Sequence, residues 1–90
     1  MLLKANFSKK SIKFLDKLTA KHFFQIDQKI EKLKKNAFPE DSAKLKGSED
    51  YFRVDIGEYR IIYHCDESIL YIDLIGKRND GEVYKKFDRL

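Results

Sequence analysis

Residues 51–63 read Tyr51-Phe52-Arg53-Val54-Asp55-Ile56-Gly57-Glu58-Tyr59-Arg60-Ile61-Ile62-Tyr63, and this stretch decides the fold. Apolar residues alternate with polar ones at a period of two, as they do in a strand with one buried face. Phe52, Val54 and Ile56 fall on one side, with Tyr51, Arg53 and Asp55 on the other. Gly57-Glu58 has the composition of a two-residue hairpin loop that places Gly first. Beyond it, Tyr59, Ile61 and Tyr63 alternate with Arg60, Ile62 and His64. Counting outward from the loop sets Ile56 opposite Tyr59, Asp55 opposite Arg60 and Arg53 opposite Ile62. Phe52, Val54, Ile56, Tyr59 and Ile61 then share the core face, while Arg53, Asp55 and Arg60 share the open one.

A third strand-like run, Ile69 to Ile75, follows an Asp66-Glu67-Ser68 turn and alternates Leu70, Ile72 and Leu74 against Tyr71, Asp73 and Ile75. Gly76 is expected to end it, so that Lys77 and Arg78 project from the sheet edge. Asn79-Asp80-Gly81 reads as a turn, and Val83-Tyr84 brings the chain back toward the sheet. Before the hairpin the period changes to that of helices. Ser8 is a plausible N-cap for a helix carrying Ile12, Leu15 and Leu18, and Thr19 for one carrying Phe23, Ile26, Ile30 and Leu33. Asn36 and Pro39 end the second. Leu2, Leu3 and Ala5 can form a short first strand. The expected fold is α+β: an N-terminal strand, a helical hairpin, then a three-stranded antiparallel meander, with the helices packed on one face of a mainly antiparallel sheet.

Ninety residues without repeats, low-complexity tracts or linkers make one domain, residues 1–90. The chain is 42% hydrophobic and 13% aromatic, too apolar for a disordered tail. One cysteine, Cys65, excludes an internal disulfide and points to a reducing compartment. No apolar run approaches the ~20 residues of a membrane helix, and the N-terminus is too short for a signal peptide; the expected location is cytoplasmic. Charge is uneven. Residues 1–46 hold twelve lysines against five acids, whereas residues 47–90 hold seven basic residues against ten acids. The basic half can attract a nucleic acid or another acidic partner, or its lysines can simply solvate two helices.

Two histidines and one cysteine do not make a metal site, and no glycine-rich phosphate loop or Ser–His–Asp arrangement is present. No cofactor is expected. The chemistry on offer is that of guanidiniums and a phenol. Attack on a phosphodiester builds negative charge on the phosphoryl and leaving oxygens, and arginines offer a permanently charged planar fork of donors to meet it. A tyrosine adds a ring for stacking and a hydroxyl for proton relay, with a pKa that nearby cations lower. Each residue also has a plainer reading. Arg60 can be the cross-strand ion partner of Asp55, Tyr84 can close the core, and Arg53 can be an ordinary exposed strand residue. His64 shares a face with Arg60 and is either a general base or a strand-edge residue. His22 reads as structural, on the polar side of its helix, and Cys65 as inert.

The order strand–helix–helix–three strands resembles that of the RelE/ParE superfamily of bacterial toxins from toxin–antitoxin pairs. So do Lys44-Leu45-Lys46-Gly47, Phe52-Arg53-Val54, Tyr59-Arg60-Ile61-Ile62-Tyr63, and Ile75-Gly76-Lys77-Arg78 through Val83-Tyr84. The Gly-Lys-Arg and Val-Tyr ending resembles the RNase branch. That resemblance implies a ribosome-dependent, metal-independent endoribonuclease that cuts mRNA in the A site through attack of the RNA's own 2′-hydroxyl. It places Arg60 on the scissile phosphate, Arg78 near the leaving 5′-oxygen, Tyr84 on the nucleotide and Arg53 as an additional basic group. Lys44, Lys46 and Lys77 are the expected RNA contacts. Asp55 departs from the pattern, standing where a second basic residue is often found. The implied partners are a cognate antitoxin, the ribosome and mRNA, with promoter DNA reached only through the antitoxin and no membrane. The alternatives are a ParE-like, non-catalytic gyrase inhibitor and an inactive binding module of the same fold.

Overall fold

A computed structural model describes residues 2–47 and 50–78. The elements run β1 (Lys4–Phe7), α1 (Lys9–Asp16), α2 (Ala20–Lys35), β2 (Ala43–Lys44), β3 (Phe52–Ile56), β4 (Tyr59–Cys65) and β5 (Ile69–Lys77). The strands form one sheet in the order β1-β5-β4-β3-β2. The expected meander is its centre, with β3, β4 and β5 antiparallel throughout. β1 adds to it in parallel on the β5 edge, and β2, a two-residue strand the alternation pattern did not reveal, adds antiparallel to β3.

The hairpin register is the one counted from the loop. Ile56 faces Tyr59, Asp55 faces Arg60 and Arg53 faces Ile62. Gly57 has φ +58°, which only glycine adopts without strain, and it makes a first loop position suited to the twist of the two strands. The core lies between this sheet and α2. Ile26, Ile30 and Leu33 of the helix meet Val54, Tyr59, Ile61, Tyr63, Leu70, Ile72 and Ile75 of the strands. Full burial of one such aliphatic chain contributes about 1.5–3 kcal/mol, so this interface is the main source of stability.

Three details depart from the sequence expectation. Ile12 is 47% exposed and Phe23 is 45% exposed, although both were expected on the apolar faces. In α1 and the turn after it the stripe toward the sheet is Ser11, Phe14, Leu15 and then Leu18, a three-four spacing that leaves Ile12 off to one side. In α2 the position one turn before Ile26 belongs to His22. It is half-buried rather than on the polar side, and its Nδ1 lies 2.7 Å from the Tyr59 hydroxyl.

The third departure concerns β5. Ile62 pairs with Leu74 and Tyr63 with Ile72, so Asp73 is an extra residue, a β-bulge. It reverses the alternation: Leu70 and Ile72 face the helices, Leu74 turns to the open face beside Ile62 and Leu45, and Ile75 enters the main core. The first turn of α1 caps the bulge. The Ser8 hydroxyl donates to the Asp73 carbonyl (2.7 Å) and accepts the Ser11 N–H (3.1 Å), while the buried Ser11 hydroxyl donates to the Ile72 carbonyl (3.1 Å). The N-terminal turn of α1 thus supplies side-chain donors to the two successive carbonyls at the bulge.

Candidate functional site: an arginine cluster on the open face

The site is assembled by the β3–β4 hairpin and the end of β5. Arg53 and Asp55 alternate with the core residues of β3, and Arg60 is the second residue of β4, directly opposite Asp55. The Arg60 guanidinium grips Asp55 at two points: Nε donates to Oδ1 at 2.6 Å and Nη2 to Oδ2 at 3.1 Å. Both side chains are largely covered. Such a fork-on-carboxylate pair is among the stronger protein hydrogen bonds, because charge and geometry cooperate.

The bulge brings Arg78 into this group. With Asp73 looped out, Ile75 pairs with Ile61 and Gly76 with Arg60, so β5 runs on through Gly76 to Lys77 instead of ending at the glycine. On the β5 side of Arg60 there is therefore no side chain to crowd the guanidinium. The Arg78 N–H donates to the Glu58 carbonyl (3.0 Å), which ties the strand end to the hairpin loop. Its Nη1 stands 4.0 Å from Asp55 Oδ2, and the side chain is about half exposed.

Asp55 is the centre on which the three arginines act. Its carboxyl is held below the usual carboxylate range, first by the hydrogen bonds from Arg60, then by the charges of Arg60, Arg53 and Arg78, with partial burial opposing them. Asp55 stays ionised at neutral pH, and the cluster of three guanidiniums and one carboxylate carries a net charge of +2. This is an anion-binding surface with a built-in competitor.

The expected site residues are thus partly brought together. Arg53, Arg60 and Arg78 share one patch. Lys77 is exposed but pairs with Tyr59, which puts it on the helix-covered side of the sheet, away from Arg60. Lys44, also exposed, pairs with Phe52 on that same side at the β2 edge, and Lys46 lies exposed in the turn that follows. Tyr84 lies outside the described residues. Among the described residues no three His, Cys, Asp or Glu side chains gather in a way that could hold a metal ion.

The partner of His64 was missed from the sequence. Its Nδ1 lies 2.6 Å from Asp73 Oδ2 on the open face, four residues along β4 from Arg60. Burial pushes the Asp73 carboxyl up, and the bond to His64 pulls it the other way. The pairing depends on the bulge, so the alternation of β5 alone could not show it. Cys65 is half-buried and burial pushes its thiol up, which makes it a poor nucleophile at neutral pH.

No family model and no curated protein matches this chain. Solved structures do. The archaeal RelE of a RelE–RelB complex from Pyrococcus horikoshii OT3 is 24% identical, with a TM-score of 0.76 over 89% of this chain and 99% of that one. The E. coli toxin RelE, solved as an arginine double mutant in the free state, is 22% identical, with a TM-score of 0.82 over 100% of this chain and 99% of that one. YoeB from Staphylococcus aureus, solved as a dimer, is 22% identical, with a TM-score of 0.70 over 82% and 94% of the two chains. Identities this low carry the architecture rather than the activity. By its strand order, its helical hairpin and these likenesses, the chain has the RelE-like toxin fold.

Proposed function

We propose that this protein is the toxin of a toxin–antitoxin pair and acts as a ribosome-dependent endoribonuclease on mRNA in the A site. The observation that carries the reading is the convergence of Arg60, Arg78 and Arg53 on one side of the sheet, leaving net positive charge around Asp55. In the proposed reaction the 2′-oxygen forms a bond to the adjacent phosphorus and the bond to the 5′-oxygen breaks. A proton leaves the 2′-hydroxyl and one is delivered to the departing oxygen. Arg60 would hold the phosphoryl oxygens, releasing part of its grip on Asp55 as it does so. Arg78, the most exposed of the described groups in contact with Asp55, would stand by the leaving oxygen. Arg53 adds field, and Tyr84 is assigned to the nucleotide by resemblance. Lys44, Lys46 and Lys77, spread over other surfaces, suit long-range attraction to ribosomal RNA better than contact with the reacting phosphate.

The cognate antitoxin would cover this surface with an acid-rich segment, and only through it would the toxin reach promoter DNA. RelE chains in several of the similar structures are bound to RelB antitoxins, which favours such a partner. A metal is not needed for this chemistry, since the guanidiniums supply the charge that a cation otherwise would. The test is a translation reaction with purified protein and primer-extension mapping of the message. Cuts that appear only on translated message support the reading. Uncut message together with stalled DNA–gyrase complexes would replace it with the gyrase-directed one, which the neutralising effect of Asp55 favours. Inhibition of neither target would leave a binding module of the toxin fold.

A further inference from the structure

The open face carries a second group of side chains that the arginine cluster does not use. Asn6, Tyr71 and His64 stand side by side on β1, β5 and β4, and Tyr51 lies next to them just before β3. His64 pairs with Tyr71, Tyr71 pairs with Asn6, and Tyr51 precedes Phe52, the partner of Tyr63. The His64 ring lies flat on Tyr71, with centroids 4.4 Å apart and planes at 7°, and meets Tyr51 edge-on at 5.0 Å. Both rings of the stacked pair are anchored. Asp73 holds His64 through Nδ1 at 2.6 Å, and the Tyr71 hydroxyl donates to Asp66 Oδ2 at 3.1 Å. Asp66 is itself fixed by the N–H groups of Ser68 and Ile69, each at 2.8 Å. The three rings are partly exposed and Asn6 is exposed.

A sheet surface that presents oriented rings in a row suits unpaired bases, which stack on such rings with little regard to sequence. Phosphate is disfavoured here, because the carboxylates of Asp66 and Asp73 flank the row. Phosphate is favoured at the other end of β4, where Arg60 lies four residues away, a span of about 13 Å at ~3.3 Å per residue. Between the two ends Ile62, Leu74 and Leu45 form a small buried cluster against which Tyr51 packs, so the base of Tyr51 is fixed. We propose that the Tyr51–His64–Tyr71–Asn6 row is a second nucleotide subsite. It takes a base of single-stranded RNA that flanks the phosphate bound at Arg60. Tyr71, backed by His64 on one face, supplies its other face for stacking, and the Asn6 amide, on the neighbouring strand, is placed to meet a base edge. The assignment rests on the nuclease reading only for the identity of the strand that lies over Arg60.

The test is the affinity of the full chain for a short fluorescent single-stranded RNA, read by anisotropy, with the matching duplex as comparison. Tyr71→Ala should raise the Kd for the single strand roughly tenfold or more. Tyr71→Phe, which keeps the ring and loses only the bond to Asp66, should bind close to wild type, and neither change should matter for the duplex. Asn6→Ala, at an exposed edge position, serves if Tyr71→Ala does not fold, and should weaken the single strand severalfold. The proposal is overturned if the wild-type chain does not bind the single strand. It is equally overturned if Tyr71→Ala binds as tightly as wild type, if the alanine and phenylalanine variants are equally weak, or if a folded Asn6→Ala, used as the substitute, is unimpaired. Cleavage of translated message is a separate readout. Binding that depends on Tyr71 without any cleavage would sink the nuclease reading and leave the subsite standing, and the reverse would sink the subsite alone.

Discussion

Asp55 and Arg60 face each other across the hairpin and are joined by two parallel hydrogen bonds, 2.6 Å and 3.1 Å long. The residue assigned to hold the scissile phosphate is thus already holding an anion. A phosphate arriving at Arg60 must displace Asp55 or share the guanidinium with it, so Asp55 both orients Arg60 and weakens its pull on any arriving anion.

Asp55→Asn separates these two effects. Removing the charge should cost about 1 kcal/mol of stability, less than a fully buried pair would, because the site is partly solvated. RNA binding should strengthen, since the cluster gains a unit of positive charge, and the gain should shrink as salt is added. Urea unfolding and binding isotherms at two ionic strengths measure both. Weaker RNA binding in a folded Asp55→Asn protein would show that orientation matters more than charge.

The same residue predicts a pH dependence of stability. The Asp55 pKa is lowered in the native state, so its contribution is present above the ordinary value of ~3.9 and is lost as pH falls through the lowered value. Asp73 has the opposite sign: its pKa is raised by burial, so its ionisation costs the native state as pH rises through the raised value. The stability difference between wild type and Asp55→Asn should therefore shrink on going from about pH 6 to about pH 3. Urea midpoints across that range would show it.

The bulge at Asp73 should be sensitive to its cap. Ser11 is fully buried and its hydroxyl donates to the Ile72 carbonyl, which also accepts the Ser8 N–H at 3.0 Å. Ser11→Ala leaves that carbonyl one partner and is expected to cost about 1–2 kcal/mol. In a chain of this size each kcal/mol lowers Tm by about 4–8 °C. Calorimetry checks it, and an unchanged Tm would mean that the bulge does not need the serine.

Much of this architecture was legible in the sequence, for local reasons. The hairpin register followed from a two-residue loop between alternating strands, where every pairing is set by counting. The bulge was not legible, because Leu70, Ile72 and Leu74 continue an unbroken alternation straight through Asp73. Only the adjacent apolar pair Leu74-Ile75 hinted that the pattern changes face. The β1–β5 pairing and the Ser8–Asp73 contact join residues about 65 positions apart, and no local pattern encodes them. In α2 the half-buried His22 took a core-facing place because the Tyr59 hydroxyl offers its ring nitrogen a partner, a fact of tertiary structure alone. Arg53 and Arg60 could be placed together from register, whereas Arg78 reached them only because the bulge shifts the last residues of β5.

Gly57 should tolerate no side chain cheaply. Its φ of +58° is strained for any other common residue, and an added Cβ would come within 2.8 Å of the Gln25 amide. Gly57→Ala is expected to cost about 1–2 kcal/mol. Gly47, at φ +82° with nothing within 4 Å, isolates the backbone part of that cost. Denaturant midpoints of the two alanine variants therefore show how far the Gln25 side chain yields.

The claim that the arginine cluster is catalytic is tested most directly by the single-turnover rate of message cleavage on programmed ribosomes, for wild type, Arg60→Ala and Arg78→Ala. Each variant should fold and should lose roughly 10²–10³-fold in rate, the usual cost of removing one charge-stabilising donor. Cleavage by both variants within a few-fold of wild type, or no cleavage by the wild-type protein, would contradict the account.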